Sequence, residues 1–285
     1  MSVTVVVSVT FVMLSSKDFK TERKNLIAMC YNFEKYLVNF NVYLKQWYNT
    51  DSELVKKNLR LKEEHTKRVR ENAVELSNLL HLSQTQKFLA EVIALFHDIA
   101  RFKQFFYYKT FDDKKSFDHA EEGVKIIKEN CFLNGIAVDD QYRILSSIKN
   151  HNKKTLPIIK DDTEKLLASL IRDADKLDIW RIVGDELAKK DEPSISLGYT
   201  GNSKFNPEII KLIKNEKSVD YKLVRSTLDF KLVTLGWIYD INFRETFLLI
   251  RKNKVLDPIF NSLPEIPEVL SIKKTVEDYV NNSLD

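Results

Sequence analysis

Phe96-His97-Asp98-Ile99-Ala100-Arg101-Phe102 is the stretch on which this chain turns, and the run before it, 88–95, is apolar almost throughout. Such a run predicts a buried helix that delivers a His-Asp pair into the interior. An unpartnered carboxylate there is strongly disfavoured, so something must bind the pair. A metal ion is the simplest partner; a hydrogen-bonded His-Asp couple in a satisfied core is the other, and the dipeptide alone does not separate them.

To either side of this stretch, the chain has five histidines in all: His65, His81, His97, His119 and His151. Leu61, His65, Val69, Ala73, Leu76 and Leu80 step by three or four, which puts His65 on the apolar stripe of a helix over 53–80. Asp51 or Ser52 can cap its start. His81 falls at its C-terminal end and reads as a structural residue favoured by the helix dipole. Ser116 or Asp118 can cap a helix running to Asn130, with His119 in its first turn, and Asn134-Gly135 closes that unit. Ile144, Ile148 and His151 stand at i, i+4 and i+7 of a helix over 141–150. A long helix over 164–190, capped by Asp161-Asp162-Thr163, carries Arg172-Asp173-Ala174-Asp175-Lys176-Leu177-Asp178. Residues 101–116, aromatic and basic, read as a loop over the site.

The order His…His-Asp…His…His…Asp, with Lys62-Glu63-Glu64-His65-Thr66, His97-Asp98-Ile99-Ala100-Arg101 and Ala174-Asp175-Lys176-Leu177 around it, resembles the HD-domain family of metal-dependent phosphohydrolases. The resemblance covers residues 62–181. Ala100 stands where a Gly is often found, a small change in helix termination that removes no ligand. The fold implied is all-α: a helical HD bundle with added N- and C-terminal helices. Its parts are an apolar extension (1–19), helices packing on the core (20–60), the metal-binding core (61–190) and a helical C-terminal part of the same domain (191–285).

By that resemblance His65, His97, Asp98 and Asp175 hold one ion, with Asp173 and Asp178 close enough to Asp175 to compete for the last place. His119 and His151 hold a second ion, bridged to the first by Asp98. Two ions about 4 Å apart can clamp a phosphoryl oxygen and share a hydroxide. Nitrogen and oxygen donors suit Mn, Fe, Co, Ni, Zn or Mg, and the absence of thiolate argues against structural zinc. The implied reaction is hydrolysis of a small phosphorylated substrate (a nucleotide, phosphomonoester or phosphodiester) through that hydroxide. Asp98, Arg101 and Lys176 are the catalytic candidates; Arg101, Lys176, Lys114 and Lys115 are candidates for binding the phosphate, with Lys103 weaker. A di-iron oxygenase uses much the same ligands, and a non-catalytic nucleotide-sensing module keeps them without turnover.

Composition bounds the rest. Few Gly and Pro and long runs of helix formers fit a helical fold. Net charge is +4 and scattered in short runs, which fits solvated helix faces and gives no basic track for a nucleic-acid backbone. Two cysteines suit a reducing cytoplasm rather than a disulfide scaffold. The apolar stretch 3–14 is too short to span a bilayer as a helix. It lacks the basic start of a secretory signal. Aromatics over 105–108 leave room for a homodimer. Beyond 191 the chain reads as a loop over 197–202, helices over 219–239, 243–252 and 269–284, and Ser226, Asp229, Trp237 and Asp240 as packing and capping groups. Asp229 or Asp240 could support the site from behind.

Overall fold

Apolar residues spaced at three and four build a set of helices that bury one another, and no strand occurs among the described residues of the computed structural model, 32–187 and 205–285. The expected extension 1–19, the start of the first predicted helix and the loop over 197–202 lie outside them.

Helix α1 (Phe33–Lys45) buries Tyr36, Phe40, Tyr43 and Leu44. Helix α2 (Glu53–Leu79) begins where the Ser52 hydroxyl accepts the Val55 N–H, and its buried stripe runs Val55, Leu59, His65, Val69, Ala73 and Leu76. Leu61 and Leu80 are only half-buried. His81 lies just past the helix, exposed and left-handed at φ 52°. Helix α3 (Gln84–Phe96) starts from a reciprocal cap between Ser83 and Gln86. It is buried along almost its whole length, packing against α2 and, further on, α6 and α7. Phe96 anchors this centre, stacking on Phe132 at 5.5 Å and meeting Phe40 edge-on at 6.0 Å.

The central helix ends at Phe96, and the expected loop over 101–116 is for the most part helical. Residues 97–99 make a turn, after which Ala100–Tyr108 form helix α4. Phe102 and Phe105 fall on one side of α4 at i and i+3 and both are buried, so the aromatic content is a packing face. Lys109, left-handed at φ 55°, ends the helix; only 109–118 then crosses as loop, with a short turn at Asp113–Lys115. Tyr107 and Tyr108 are exposed.

Helix α5 (His119–Glu129) starts at Asp118, whose carboxylate accepts the Ala120 and Glu121 N–H groups. Helix α6 is Val138–Asn150 and α7 is Asp162–Leu187, with the Asp161 carboxylate accepting the Glu164 N–H at 2.8 Å. Gly135, at φ +92°, supplies the reversal between α5 and α6 that a side chain would strain.

Part of the C-terminal region packs on α7, through residues 244–253 and 257–261. Two helices were not foreseen in the sequence, α8 (Pro207–Lys214) and α11 (Asp257–Asn261). The helix expected over 219–239 is broken: Ser226 is extended and its hydroxyl caps α9 (Thr227–Gly236), which gives way to a 3₁₀ turn, Trp237–Asp240. Helices α10 (Arg244–Asn253) and α12 (Pro267–Asn282) complete the chain. Trp180 on α7 donates to the Thr234 carbonyl at 2.8 Å. Gly184 lets Pro258 of α11 come so close that a Cβ would sit 3.0 Å from the proline ring. No helix of the described residues is long and apolar enough to cross a membrane.

Candidate metal centre

Four imidazoles reach the interior from four different helices, and each is oriented from behind in a way its backbone position explains. His97 and His151 stand at the same place on their helices, the C-cap just after the last residue of α3 and α6. There the last carbonyls lack helical partners, and each ring uses one: Nδ1 of His97 donates to Ala94 O at 2.8 Å and Nδ1 of His151 to Ile148 O at 2.7 Å. His119 opens α5 and its Nδ1 donates to Asp113 Oδ2 at 2.6 Å. His65, mid-α2, turns Nδ1 to Asp178 Oδ2 at 2.7 Å. With every Nδ1 engaged by an oxygen, every Nε2 is the nitrogen presented inward.

The rings form a row. Centroids are 5.4 Å apart for His65–His97, 5.3 Å for His97–His151 and 5.0 Å for His151–His119. Asp98 lies alongside with one carboxylate oxygen for each half: Oδ2 is 3.5 Å from His65 Nε2 and 3.8 Å from His97 Nε2. Oδ1 is 3.4 Å from His119 Nε2 and 3.8 Å from His151 Nε2. Asp175 Oδ1 joins the first half, 3.2 Å from His65 Nε2 and 3.9 Å from His97 Nε2. All four histidines and Asp98 are buried.

The donors fit divalent cations on grounds of hydrogen-bond accounting. His119 Nε2 and His151 Nε2 face each other at 3.1 Å, and His65 Nε2 and His97 Nε2 at 3.4 Å. Two lone pairs so placed repel unless a positive charge lies between them. Asp175 Oδ1 is buried with no hydrogen bond, the kind of orphan a folded protein keeps only for a purpose. His65, His97 and Asp98 form one group that could hold an ion, and Asp98, His119 and His151 another. A third grouping, Asp113, Asp118 and His119, is committed elsewhere: Asp118 caps α5 and takes Lys153 at 2.7 Å.

Electrostatics set His65 apart from His97 and His119. Burial and the nearby Lys62 charge both pull the His65 imidazole down, but Asp175, Asp178 and Asp98 outweigh them and push it up to about 10. Burial dominates for His97 and, helped by Arg101, for His119, and both fall to about 4. Burial would raise the Asp98 carboxyl; Lys62, His97 and Arg101 together hold it well below the usual carboxylate range.

The three candidate aspartates of α7 separate cleanly. Asp173 faces away from the cluster, accepting from Asn242 N and Nδ2, Phe243 N and Thr246 Oγ1. Asp178 sits behind His65, shared with Arg68. Only Asp175 points an oxygen at the Nε2 atoms.

The predicted phosphate-binding cations fare differently. Arg101 is at the cluster, its Nε 3.4 Å from Asp98 Oδ1, buried and without a hydrogen bond. Lys176 is paired with Asp240 Oδ2 at 2.8 Å, beside Arg172, which donates to the same oxygen and to the His151 carbonyl. Lys103 is held by Glu122 at 2.6 Å. Lys114 and Lys115 are exposed and touch none of the cluster. Sequence reasoning passed over Lys62, whose Nζ lies 2.7 Å from Asp98 Oδ2. Its signal was present, since three residues before His65 on a helix is the same face. Asp113, Arg68 and Phe111, whose ring lies 5.3 Å from Lys62 Nζ and 5.9 Å from the Arg101 guanidinium, were also missed.

Neither curated proteins nor solved structures gave a match to the chain. The family model of the HD domain matches residues 63–180, the span that carries all six of these inward-facing side chains. Over that segment the chain carries an HD domain.

Proposed function

We propose that this protein is a metal-dependent phosphohydrolase acting on a small phosphorylated substrate, with a two-ion centre. The observation that carries the reading is Asp98: each of its carboxylate oxygens faces a separate pair of imidazole nitrogens. His65, His97, Asp98 and Asp175 would hold one ion, and Asp98, His119 and His151 the other. Divalent ions so held supply Lewis acidity toward a phosphoryl oxygen and lower the pKa of water toward neutrality.

The chain's own residues supply the rest. Lys62 gives Asp98 one of the three donors of its ammonium group and keeps 17% side-chain exposure, so its remaining N–H groups can meet a phosphoryl oxygen. Arg101 adds a buried N–H without an acceptor on the other side of Asp98. Together they provide fixed positive charge where negative charge grows on a transferring phosphoryl group. Phe111 covers both cations and limits access of water. Lys176 shares Asp240 with Arg172, and it is Arg172 that holds the loop after α6, through the His151 and Lys153 carbonyls.

Protein loaded with Mn²⁺, Co²⁺ or Fe²⁺ should release phosphate or a nucleoside monophosphate from a member of a panel of nucleotides and phosphomonoesters. Asp98→Ala should abolish release with the helical circular dichroism unchanged. Uptake of ions without release from any panel member, or oxygen consumption by the iron form in its place, contradicts the proposal.

A further inference from the structure

Of the four inward-facing imidazoles, three are oriented by groups that belong to the packed helices: His97 and His151 by carbonyls of their own last turns, and His65 by Asp178, which is 1% exposed. His119 alone depends on a loop side chain. Its Nδ1 partner is Asp113, 30% exposed, in the segment 109–118 that joins α4 to α5. Asp113 divides its oxygens between two tasks. Oδ2 accepts from His119, while Oδ1 accepts from Arg101 at 2.9 Å and from Gln104 Nε2 at 2.9 Å. Gln104 is fully buried and also donates to Ser116 Oγ at 2.8 Å, so it fixes the far end of the same segment. Arg101 donates to the Phe111 carbonyl at 2.6 Å and fixes the near end.

From this we infer that Asp113 is a positioning residue which couples the 109–118 segment to the His119/His151 half of the centre and leaves the His65/His97 half independent. The inference rests on the two-ion reading. An imidazole whose Nδ1–H has no acceptor is free to move its proton to Nε2, and that nitrogen then has no lone pair for an ion. Loss of such an outer partner typically weakens metal affinity about 10–100-fold. Because coupling is reciprocal, an ion in the second half must in turn hold the segment in place. Lys114 and Lys115, exposed within it, are sites where trypsin reads that effect.

The test compares full-length wild type, Asp113→Asn and Asp113→Glu by Mn²⁺ titration and by tryptic cleavage after Lys114 and Lys115. Asparagine keeps one acceptor and turns the other into a donor, so it can satisfy His119 or the Arg101–Gln104 side but not both. Glutamate keeps both acceptors. Expected for the wild type are two Mn²⁺ per chain and slower cleavage once the second is bound. Asp113→Asn should keep the tighter ion, bind the other at least about 10-fold more weakly and lose the protection; Asp113→Glu should recover part of each. Two ions at wild-type affinity in Asp113→Asn overturn the inference while leaving the two-ion reading intact. Equal weakening of both ions overturns it too, since Asp113 would then be a general support. A wild type that never takes more than one ion removes the two-ion reading and this inference with it.

Discussion

Replacing Asp173 with alanine should cost stability and leave metal binding untouched, although the residue is only two positions from the proposed ligand Asp175. Asp173 is fully buried, and its carboxylate receives the Asn242 N–H at 3.0 Å, the Phe243 N–H at 3.2 Å and the Thr246 hydroxyl at 2.7 Å. It therefore does for α10 what a capping side chain would do, since Phe243 offers no cap of its own. Alanine leaves these donors without an acceptor; Thr246 is fully buried and cannot turn to water. Each stranded buried donor costs about 1–3 kcal/mol. Against this, the mutation relieves burial of the carboxylate itself, which raises the Asp173 pKa. The net of these opposed effects is about 3 kcal/mol. At roughly 2–4 °C per kcal/mol, the metal-free Tm should fall by about 6–12 °C. Thermal denaturation followed by circular dichroism measures it, with Mn²⁺ content as the control. A Tm within about 2 °C of wild type with metal content lost would make Asp173 a ligand and refute the assignment of the three aspartates.

Asp178→Ala, which removes the acceptor behind His65, should weaken the ion of that half about 10–100-fold; an unchanged Mn²⁺ titration argues against it. Lys62→Met should raise KM or lower kcat/KM for the phosphorylated substrate by at least about 10-fold with ion content retained, and wild-type kinetics would remove Lys62 from phosphate recognition. The metal-free chain should be most heat-stable near neutral pH. His97 and His119, held near 4, bind fewer protons folded than unfolded between about 4 and 6.5, so their contribution is complete above about 6.5 and lost as pH falls toward 4. His65, raised to about 10, contributes fully below its unfolded value and loses that as pH rises through about 10. A Tm that climbs steadily as pH falls from about 6.5 to about 4.5 would contradict this.

The helical class was legible because α2, α3, α5 and α6 are written locally: an apolar period in each and, in α2 and α5, a side-chain cap at Ser52 or Asp118. The order of histidines and aspartates likewise pointed to residues that the fold brings together, since helix periodicity already placed His65 and His151 on inward faces. What was illegible depends on partners distant in sequence. Nothing local says that Asp173 will meet Asn242, or that Asp113 will meet both His119 and Gln104. Helix α4 was misread because it is crowded with aromatic residues and carries two basic ones, and only its neighbours decide that Phe102 and Phe105 are a buried face. The break before α9 turned on Ser226, which caps only because the backbone there is extended.

Everything proposed for the chemistry requires Asp98 to stand between two cation sites. Crystals of the full chain grown with Mn²⁺, measured for anomalous scattering at the manganese edge, decide whether it does. Two peaks are expected, one on each side of Asp98, the first against His65, His97 and Asp175 and the second against His119 and His151. A single peak bound by Asp173 or by the surface carboxylates, with none beside Asp98, would contradict it.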